Sequence, residues 1–511
     1  MVIRSLRRDP GRSQKRGRTV VFLLGAAGWG LLLIARLLHL QVAIHEELVA
    51  RAERQQTAVI ELPARRGDIF ARGGQRLATS VDLGSIYVHP HRLPDRDAAA
   101  ALLAPALGTD AGSLSRRLDT RAPFIYLRRK ALPETVAAVQ RVVDEAGLQE
   151  AVGVHEEEKR YYPHRSLAAH VLGFVDLDNR GQAGIELAHD DAIRGEPGTL
   201  NTLKDGWNRI IAGRGGALED PSRGDDVLMS LDWTLQYAAE EALERAVIDH
   251  RARGGSIVAL DPRSGAVLAM ASYPSFNPNV RDAALMRNSR NHAIHVPFEP
   301  GSAFKVITAS AALHEGVVDE EEEIDCEGGR FRVASHTYRD WKFGFEILSF
   351  REVLMNSSNV GTIKVCLRLP PDDYYRWIRD FGFGAPTGVD LPAERTGLLQ
   401  APDRWSKLTQ ASMAFGQEIS STPLQLATAI ATIANGGLLM TPYVVAQRRD
   451  RGGETVMRAE PQVRRRVLDE SIARRIGRVM EQVVEGGTGK PARIPGYRVA
   501  GKTSTAQKID P

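Results

Sequence analysis

Apolar and polar positions change period several times along this chain, and each change marks a different kind of element. From Thr19 to Ala35 almost every residue is apolar (TVVFLLGAAGWGLLLIA), and after Arg36 the run resumes as Leu37-Leu38-His39-Leu40-Gln41-Val42. That length approaches the roughly 20 residues a helix needs to cross a bilayer, and Arg36 can snorkel to the far interface. A cleaved signal peptide is the rival reading. Its apolar region runs only about 7–15 residues before a small-x-small cleavage site, whereas bulky Leu-Leu-His-Leu-Gln follows here. The pattern therefore predicts an uncleaved anchor over 19–42. Gly25 and Gly28 would let a partner helix approach, although glycines are common in membrane helices.

Beyond the anchor, residues 43–56 (AIHEELVARAERQQ) combine helical period with dense charge, which suits a stalk continuing the membrane helix. The Gly-rich centre of Arg65 to Ala78 predicts a turn between two short strands. A shift in composition at Ser222-Arg223-Gly224-Asp225-Asp226 marks a domain boundary. After it, Val227 to Leu231 reads as a strand and Asp232 to His250 as an amphipathic helix capped by Asp232. Two apolar runs, 255–260 and 266–270, flank Asp261-Pro262-Arg263-Ser264-Gly265 and predict a hairpin. Several helical patterns follow, and a β-branched segment near Thr503 and Thr505 returns as strand-like sequence. Strands at both ends with helices between predict an α+β domain whose antiparallel sheet packs against helices. The boundaries expected are a basic tail over 1–18, the anchor over 19–42, a stalk and first domain over 43–225, and a second domain over 226–511.

Charge and cysteine content narrow the classes. With 67 basic and 63 acidic residues the net charge is only +4, which argues against a nucleic-acid binder. The basic residues are uneven: Arg4, Arg7, Arg8, Arg12, Lys15, Arg16 and Arg18 crowd the N-terminus, so the positive-inside rule keeps that tail cytoplasmic and sends everything after 42 outside. Cys326 and Cys366 are the only cysteines. An exported domain permits a disulfide between them, yet Cys366 lies in an apolar helical pattern and reads as a buried free thiol. His292 and His295 form an H-x-x-H that no carboxylate or cysteine completes, so they read as structural and no metal or other cofactor is expected. The acidic run Asp319 to Glu323 reads as a solvated loop.

The chemistry begins at Glu299-Pro300-Gly301-Ser302-Ala303-Phe304-Lys305. A serine hydroxyl is a poor nucleophile without a base in reach, and i, i+3 spacing on a helix sets the Lys305 amine beside Ser302. Alone this S-x-x-K is a weak signal, better read as a capped surface helix. Two further motifs follow in order: Asn356-Ser357-Ser358-Asn359-Val360-Gly361, and Ala500-Gly501-Lys502-Thr503-Ser504-Thr505-Ala506-Gln507. Singly, Ser357 and Asn359 suit a cap or turn, and Lys502 and Thr503 suit an exposed strand. Their order and flanking words change the balance. S-x-x-K, then S-x-N, then K-T-x-T resembles the signature of penicillin-recognising serine acyltransferases. With Gly416 to Leu426 (GQEISSTPLQL) and Tyr497 to Lys508 (YRVAGKTSTAQK), the chain resembles a class B penicillin-binding protein, a peptidoglycan D,D-transpeptidase. Arg65 to Ala78 and Arg160-Tyr161-Tyr162-Pro163 to Gly184-Ile185-Glu186 resemble blocks of that family's non-catalytic pedestal, with Ala71 replacing the usual acidic residue. On that resemblance the first domain, within 43–225, is expected to be a β-rich pedestal.

The resemblance implies that Ser302 attacks the penultimate D-alanine carbonyl of a stem peptide ending in D-Ala-D-Ala, with Lys305 taking the proton. It implies that Ser357 shuttles a proton to the leaving amine, Asn359 holds the substrate amide, and Lys502, Thr503 and Thr505 receive the carboxylate. The backbone N–H groups of Ser302 and Thr505 would form the oxyanion hole. β-Lactams would stall the enzyme as acyl adducts. The short gap between Gly173 and Gly184 looks more like division enzymes than elongation ones, and a SEDS-family glycan polymerase in the bacterial plasma membrane would be the partner. Two departures stand out. Ser504 replaces the family's glycine and is expected to turn its side chain away. Family members continue with further strands and a helix, so the domain is expected to be C-terminally incomplete. An elongation-type transpeptidase is the runner-up within the class. A β-lactamase or carboxypeptidase would need a deacylating E-x-x-L-N, which is absent, and a non-catalytic membrane-anchored divisome scaffold is the alternative outside it. Gly496 to Thr503 also satisfies the phosphate-loop pattern, but that needs a strand before it and a helix after it.

Overall fold

The computed structural model describes residues 10–204, 210–211 and 218–506. The first half of the predicted basic tail and Gln507-Lys508 of the third motif lie outside these residues. The described chain is mixed α+β and divides into two compact units, Met1–Ala64 with Glu196–Ser222, and Arg65–Gly195 with Arg223–Pro511.

In the first unit a helix over Pro10–Leu38 runs through a π-helical turn, His39–Ala43, into a second helix, His45–Gln56. The span Arg18–Ala43 is 26 residues with mean hydropathy 2.1, long and apolar enough to cross a membrane. The stalk helix, as its charged period predicts, leads into a strand, Thr57–Leu62, paired antiparallel with Gly198–Lys204 from Thr57↔Leu203 to Leu62↔Gly198.

The second unit starts from a long strand, Arg76–Val88, which pairs with Val152–Tyr161 along ten residues and with Ile125–Ala131. Helices Arg96–Leu107, Ala111–Leu118 and Pro133–Glu145 cover one face, burying Ile86, Val88, Leu103, Leu114, Leu118 and Val139. The first two of these helices start where Asp95 and Asp110 accept hydrogen bonds from orphan amides of the opening turn. The turn predicted around Gly73 and Gly74 joins Ile69–Phe70 to the long strand. Ile69–Phe70 also runs parallel to Asp226–Met229, which pairs antiparallel with Val445–Arg449. One ladder therefore ties the segment before residue 195 to the segment after 223.

Glu186, fully buried, accepts from Arg66 Nη2 and from Arg160 Nε, each at 2.6 Å, and Arg66 Nη1 reaches Asp190 at 2.6 Å. The two quoted pedestal blocks thus meet through buried ion pairs.

Downstream, Asp232 caps the helix Trp233–Asp249, and the predicted hairpin is Gly255–Leu260 with Val267–Tyr273. Helix Lys305–His314 (KVITASAALH) is buried from Lys305 to Leu313, as an all-round apolar pattern requires. It packs with Asn359–Cys366, Pro371–Asp380 and Glu470–Glu485 into the largest core, around Phe304, Ile307, Val353, Ile363 and Ile476. Cys326 and Cys366 are buried free thiols, with no bridge between them.

One expectation changes. The strand-like K-T segment is not a strand over 501–506. β-Branched residues favour extended backbone, but a strand exists only through its ladder. Among the described residues no strand runs alongside, and Gly501 N bonds instead to Met480 O of a helix at 3.1 Å. Residues 496–503 likewise lack the strand and helix a phosphate loop requires. The acidic run is the solvated loop its charge predicts, with Asp319, Glu321 and Glu323 exposed, and it also carries ion pairs. Arg475 holds Glu320 and Asp319, Arg351 holds Glu321, Arg368 holds Glu322, and Glu323 opens a short strand.

Candidate active site

Ser302 lies in a single 3-10 turn, Gly301–Phe304, that feeds the buried helix. Two glycines set its position. Gly301 has φ +54, and a Cβ there would sit 2.7 Å from Ser504 Oγ and 2.8 Å from Thr505 O. Gly416 has φ +81, and its Cβ would sit 2.3 Å from Gly301 O. Left-handed backbone and close approach both require glycine, so the GQEISSTPLQL segment clamps the serine turn from one side and the K-T segment from the other.

The i, i+3 spacing places Lys305 near Ser302 along the chain, but its amine bonds elsewhere. Nζ donates to Ser357 O at 2.6 Å and to Ser357 Oγ at 3.3 Å. A buried amine must find acceptors, and Ser357 presents them because its backbone is left-handed at φ +55. A non-glycine residue held there stores strain of the kind that gathers at functional sites. Burial, and secondarily the Lys502 charge, hold the Lys305 amine well below its ordinary pKa, with Asp340 opposing them. Lys502 Nζ donates to Ser357 Oγ at 2.8 Å and to Thr503 O at 3.0 Å. Burial lowers its pKa to about 8. One hydroxyl therefore sits between two amines of depressed basicity.

Asn359 lines the same cavity, its Nδ2 donating to Arg339 O at 2.7 Å. The cavity, about 760 Å³, brings together Ser302, Ser357, Asn359, Thr503, Ser504 and Thr505, a size suited to a peptide end or small ligand. Lys305 is buried behind it. Ser504 does not turn away: its hydroxyl donates to Pro300 O at 2.5 Å, tying the K-T segment to the serine turn. The small side chain finds the nearest free carbonyl. Among the described residues no three His, Cys, Asp or Glu side chains gather as a metal site. His295 Nε2 instead meets Pro392 O at 3.1 Å.

Two residues escaped sequence reasoning. Asp340 is buried and faces the start of helix Asn359–Cys366, where its Oδ1 accepts from Asn359 N and Val360 N and its Oδ2 from Ser358 Oγ. An anion at that helix end is favoured by the dipole and the free amides. It fixes the S-x-N turn from nearly twenty residues upstream, and no spacing rule points to it. Thr488, on the cavity wall, bonds Thr503 through their hydroxyls at 2.8 Å.

A serine at the head of a buried helix, a lysine of lowered basicity behind it and a serine bridging to a second lysine are the parts of a penicillin-recognising serine acyltransferase. Comparison with known proteins agrees. Residues 255–511 match the penicillin binding protein transpeptidase domain and residues 61–229 the penicillin-binding protein dimerisation domain. A probable peptidoglycan D,D-transpeptidase, PbpC of Pseudomonas aeruginosa, is 35% identical over 93% of this chain and 81% of its own. The peptidoglycan D,D-transpeptidase FtsI of Escherichia coli is 33% identical over 96% of this chain and 80% of its own. The crystal structure of penicillin binding protein 3 from Mycobacterium tuberculosis complexed with aztreonam superposes with a TM-score of 0.67 at 28% identity, covering 89% of this chain and 84% of that one. A peptidoglycan synthetase from Bifidobacterium adolescentis gives a TM-score of 0.70 at 28% identity, covering 89% and 87%. The chain belongs to the class B penicillin-binding proteins, the serine-type peptidoglycan D,D-transpeptidases, and its FtsI-like relatives are of the cell-division type. With its long apolar N-terminal helix it is a membrane-anchored member.

Proposed function

We propose that Ser302 is the acylating nucleophile that cross-links stem peptides in septal cell-wall synthesis. The observation that carries this reading is the Lys305–Ser357–Lys502 relay. Lys305, its basicity lowered by burial and by the Lys502 charge, takes the proton of Ser302 as the hydroxyl adds to the penultimate D-alanine carbonyl. The developing oxyanion is received by the N–H groups of Ser302 and Thr505. Ser357 Oγ accepts from both lysines, which occupies its two lone pairs and leaves its own hydrogen to give. It passes that proton to the departing D-alanine amine as the C–N bond breaks and is reprotonated through Lys305. Asn359 holds the substrate amide, while Lys502, Thr503 and Thr505 receive the terminal carboxylate. An amine of a second stem peptide then adds to the acyl carbon, and Ser302 leaves with a proton returned along the same path. β-Lactams enter by the first half-reaction and stop there.

The tail 1–18 is cytoplasmic, 19–42 crosses the plasma membrane, 43–225 is stalk and pedestal, and 226–511 the transpeptidase domain on the extracytoplasmic side. The excess of basic residues before the anchor supports that orientation. A SEDS-family polymerase is the partner that would supply glycan strands. The test is intact mass of the full chain in detergent with and without a penicillin, beside Ser302→Ala. An adduct lost in the variant is expected. No adduct on folded wild type would overturn the catalytic reading and leave a membrane-anchored scaffold.

A further inference from the structure

The donor D-Ala-D-Ala end accounts for the Ser302, Ser357 and K-T walls of the cavity but not for the wall formed by the strand His336–Arg339 and the residues after it. This strand alternates. Tyr338 and Asp340 turn inward, Tyr338 OH bonding Ser412 Oγ at 2.9 Å and Asp340 capping the S-x-N helix. Thr337, Arg339 and Trp341 remain exposed and line the cavity. Arg339 stands directly across the hairpin from Arg330, and like charges facing each other weaken a sheet. Arg330 escapes onto the Phe343 ring, 4.9 Å from its centroid. Arg339 gains no such relief: among the described residues no carboxylate pairs with it. Its backbone carbonyl holds Asn359 Nδ2, so the guanidinium stems from the residue that positions the proposed substrate-amide binder. Beside it Trp341 is 65% exposed, yet its ring is fixed by Nε1 donating to Asn356 O at 2.7 Å. An unpaired fork of donors next to an anchored aromatic face is a built receptor for a carboxylate on an otherwise uncharged chain.

We propose that Arg339 and Trp341 form a subsite that recognises a free carboxylate of the stem peptide upstream of D-Ala-D-Ala. This rests on the transpeptidase reading and names the substrate class for the same site. Arg339 binds the carboxylate and Trp341 packs against the peptide's apolar stem. Stem peptides offer two sources of this chemistry, the α-carboxylate of a D-glutamyl residue and the second carboxylate of a diamino acid such as diaminopimelate. Amidation of either removes the charge while keeping the shape.

The experiment compares kcat/KM of the full chain in detergent for three synthetic donors: both carboxylates free, the glutamyl one amidated, and the diaminopimelyl one amidated. Each is run with wild type, Arg339→Gln and Arg339→Lys, and each preparation is first titrated with penicillin. One amidation is expected to cost wild type about three- to tenfold, the range of a partly exposed ion pair to a charged peptide. In Arg339→Gln that ratio should fall to about one, and Arg339→Lys should restore part of it. The discriminating amidation identifies which carboxylate is bound. Equal kcat/KM for all three donors with wild type overturns the proposal, as does a ratio that survives Arg339→Gln. A wild type that takes no penicillin overturns the transpeptidase reading itself and this subsite with it.

Discussion

Lys502 should impose a falling limb on the pH dependence of acylation, and its position can be worked from the structure. An ordinary lysine amine titrates at 10.5, but burial lowers Lys502 to about 8. That displacement corresponds to roughly 3 kcal/mol against the charged form, as an upper figure for a group that keeps some solvent contact. Below pH 8 the ammonium is present, donates to Ser357 Oγ at 2.8 Å and offers charge to the substrate carboxylate. Above pH 8 it becomes neutral, and acylation should fall by up to about tenfold per pH unit. On the acid side the rate should rise as Lys305 loses its proton, at a pH far below that of a free lysine because of burial and the nearby Lys502 charge.

The assay is the second-order rate of penicillin acylation from pH 5 to 10.5, followed by fluorescent adduct or intact mass. Lys502→Arg supplies the control, since a guanidinium keeps its charge across this range. The variant is expected to be slower overall, because the planar fork does not reproduce a point contact with Ser357, but its falling limb should vanish. A wild-type rate that stays flat to pH 9.5 would refute the reasoning. So would a limb near pH 8 that persists in Lys502→Arg.

Asp340→Asn keeps the size of the helix-capping group but removes its charge, and it should lower acylation by about tenfold or more by loosening the Asn359 turn. Because Asp340 also raises the Lys305 pKa, its loss should move the rising limb of the pH–rate profile to lower pH, a shift that loosening alone would not produce. An unmoved limb would count against direct coupling. Glu186→Gln strips the charge that Arg66 and Arg160 share in the fully buried network, where breaking one partner costs about 3–5 kcal/mol. Against a typical total of about 5–15 kcal/mol that is a large loss, read as a lowered chemical-denaturation midpoint in detergent. A change below about 1 kcal/mol would show that Asp190 and the remaining acceptors carry the arginines alone. Burial works to raise the Glu186 pKa, but the charges of Arg160 and Arg66 outweigh it and hold it below the ordinary value. The stabilisation is therefore complete above the ordinary carboxylate range and is lost as pH falls through the lower folded pKa.

Chemistry that depends on residues close in sequence was legible, and chemistry that depends on how distant segments meet was not. The membrane helix, the hairpin at Gly255–Leu260 and the cap at Asp232 follow from local period and turn residues, and each lies where the pattern puts it. The three motifs could be found because each is a short word, and Ser302, Ser357, Asn359, Thr503 and Thr505 do line one cavity, with Lys305 behind it and Lys502 on Ser357 Oγ. Local propensity misled at the K-T segment, where Thr503 and Thr505 suggest a strand although extended residues become one only beside a partner. Lys305 shows the same limit in another form. Helical spacing gave its neighbour along the chain as its partner, whereas burial sends its amine to the strained carbonyl of Ser357, 52 residues on. Asp340 and Arg339 are adjacent in sequence yet turn opposite ways at the end of the strand His336–Arg339. One turns in to anchor the S-x-N helix and the other turns out into the cavity, with no carboxylate partner among the described residues. A period of two tells that neighbours diverge, but which side is the core is decided by the helix that packs there. The division of labour at this wall, one charge satisfied inside and one turned outward with no carboxylate partner among the described residues, is therefore a property of the packed fold rather than of any motif.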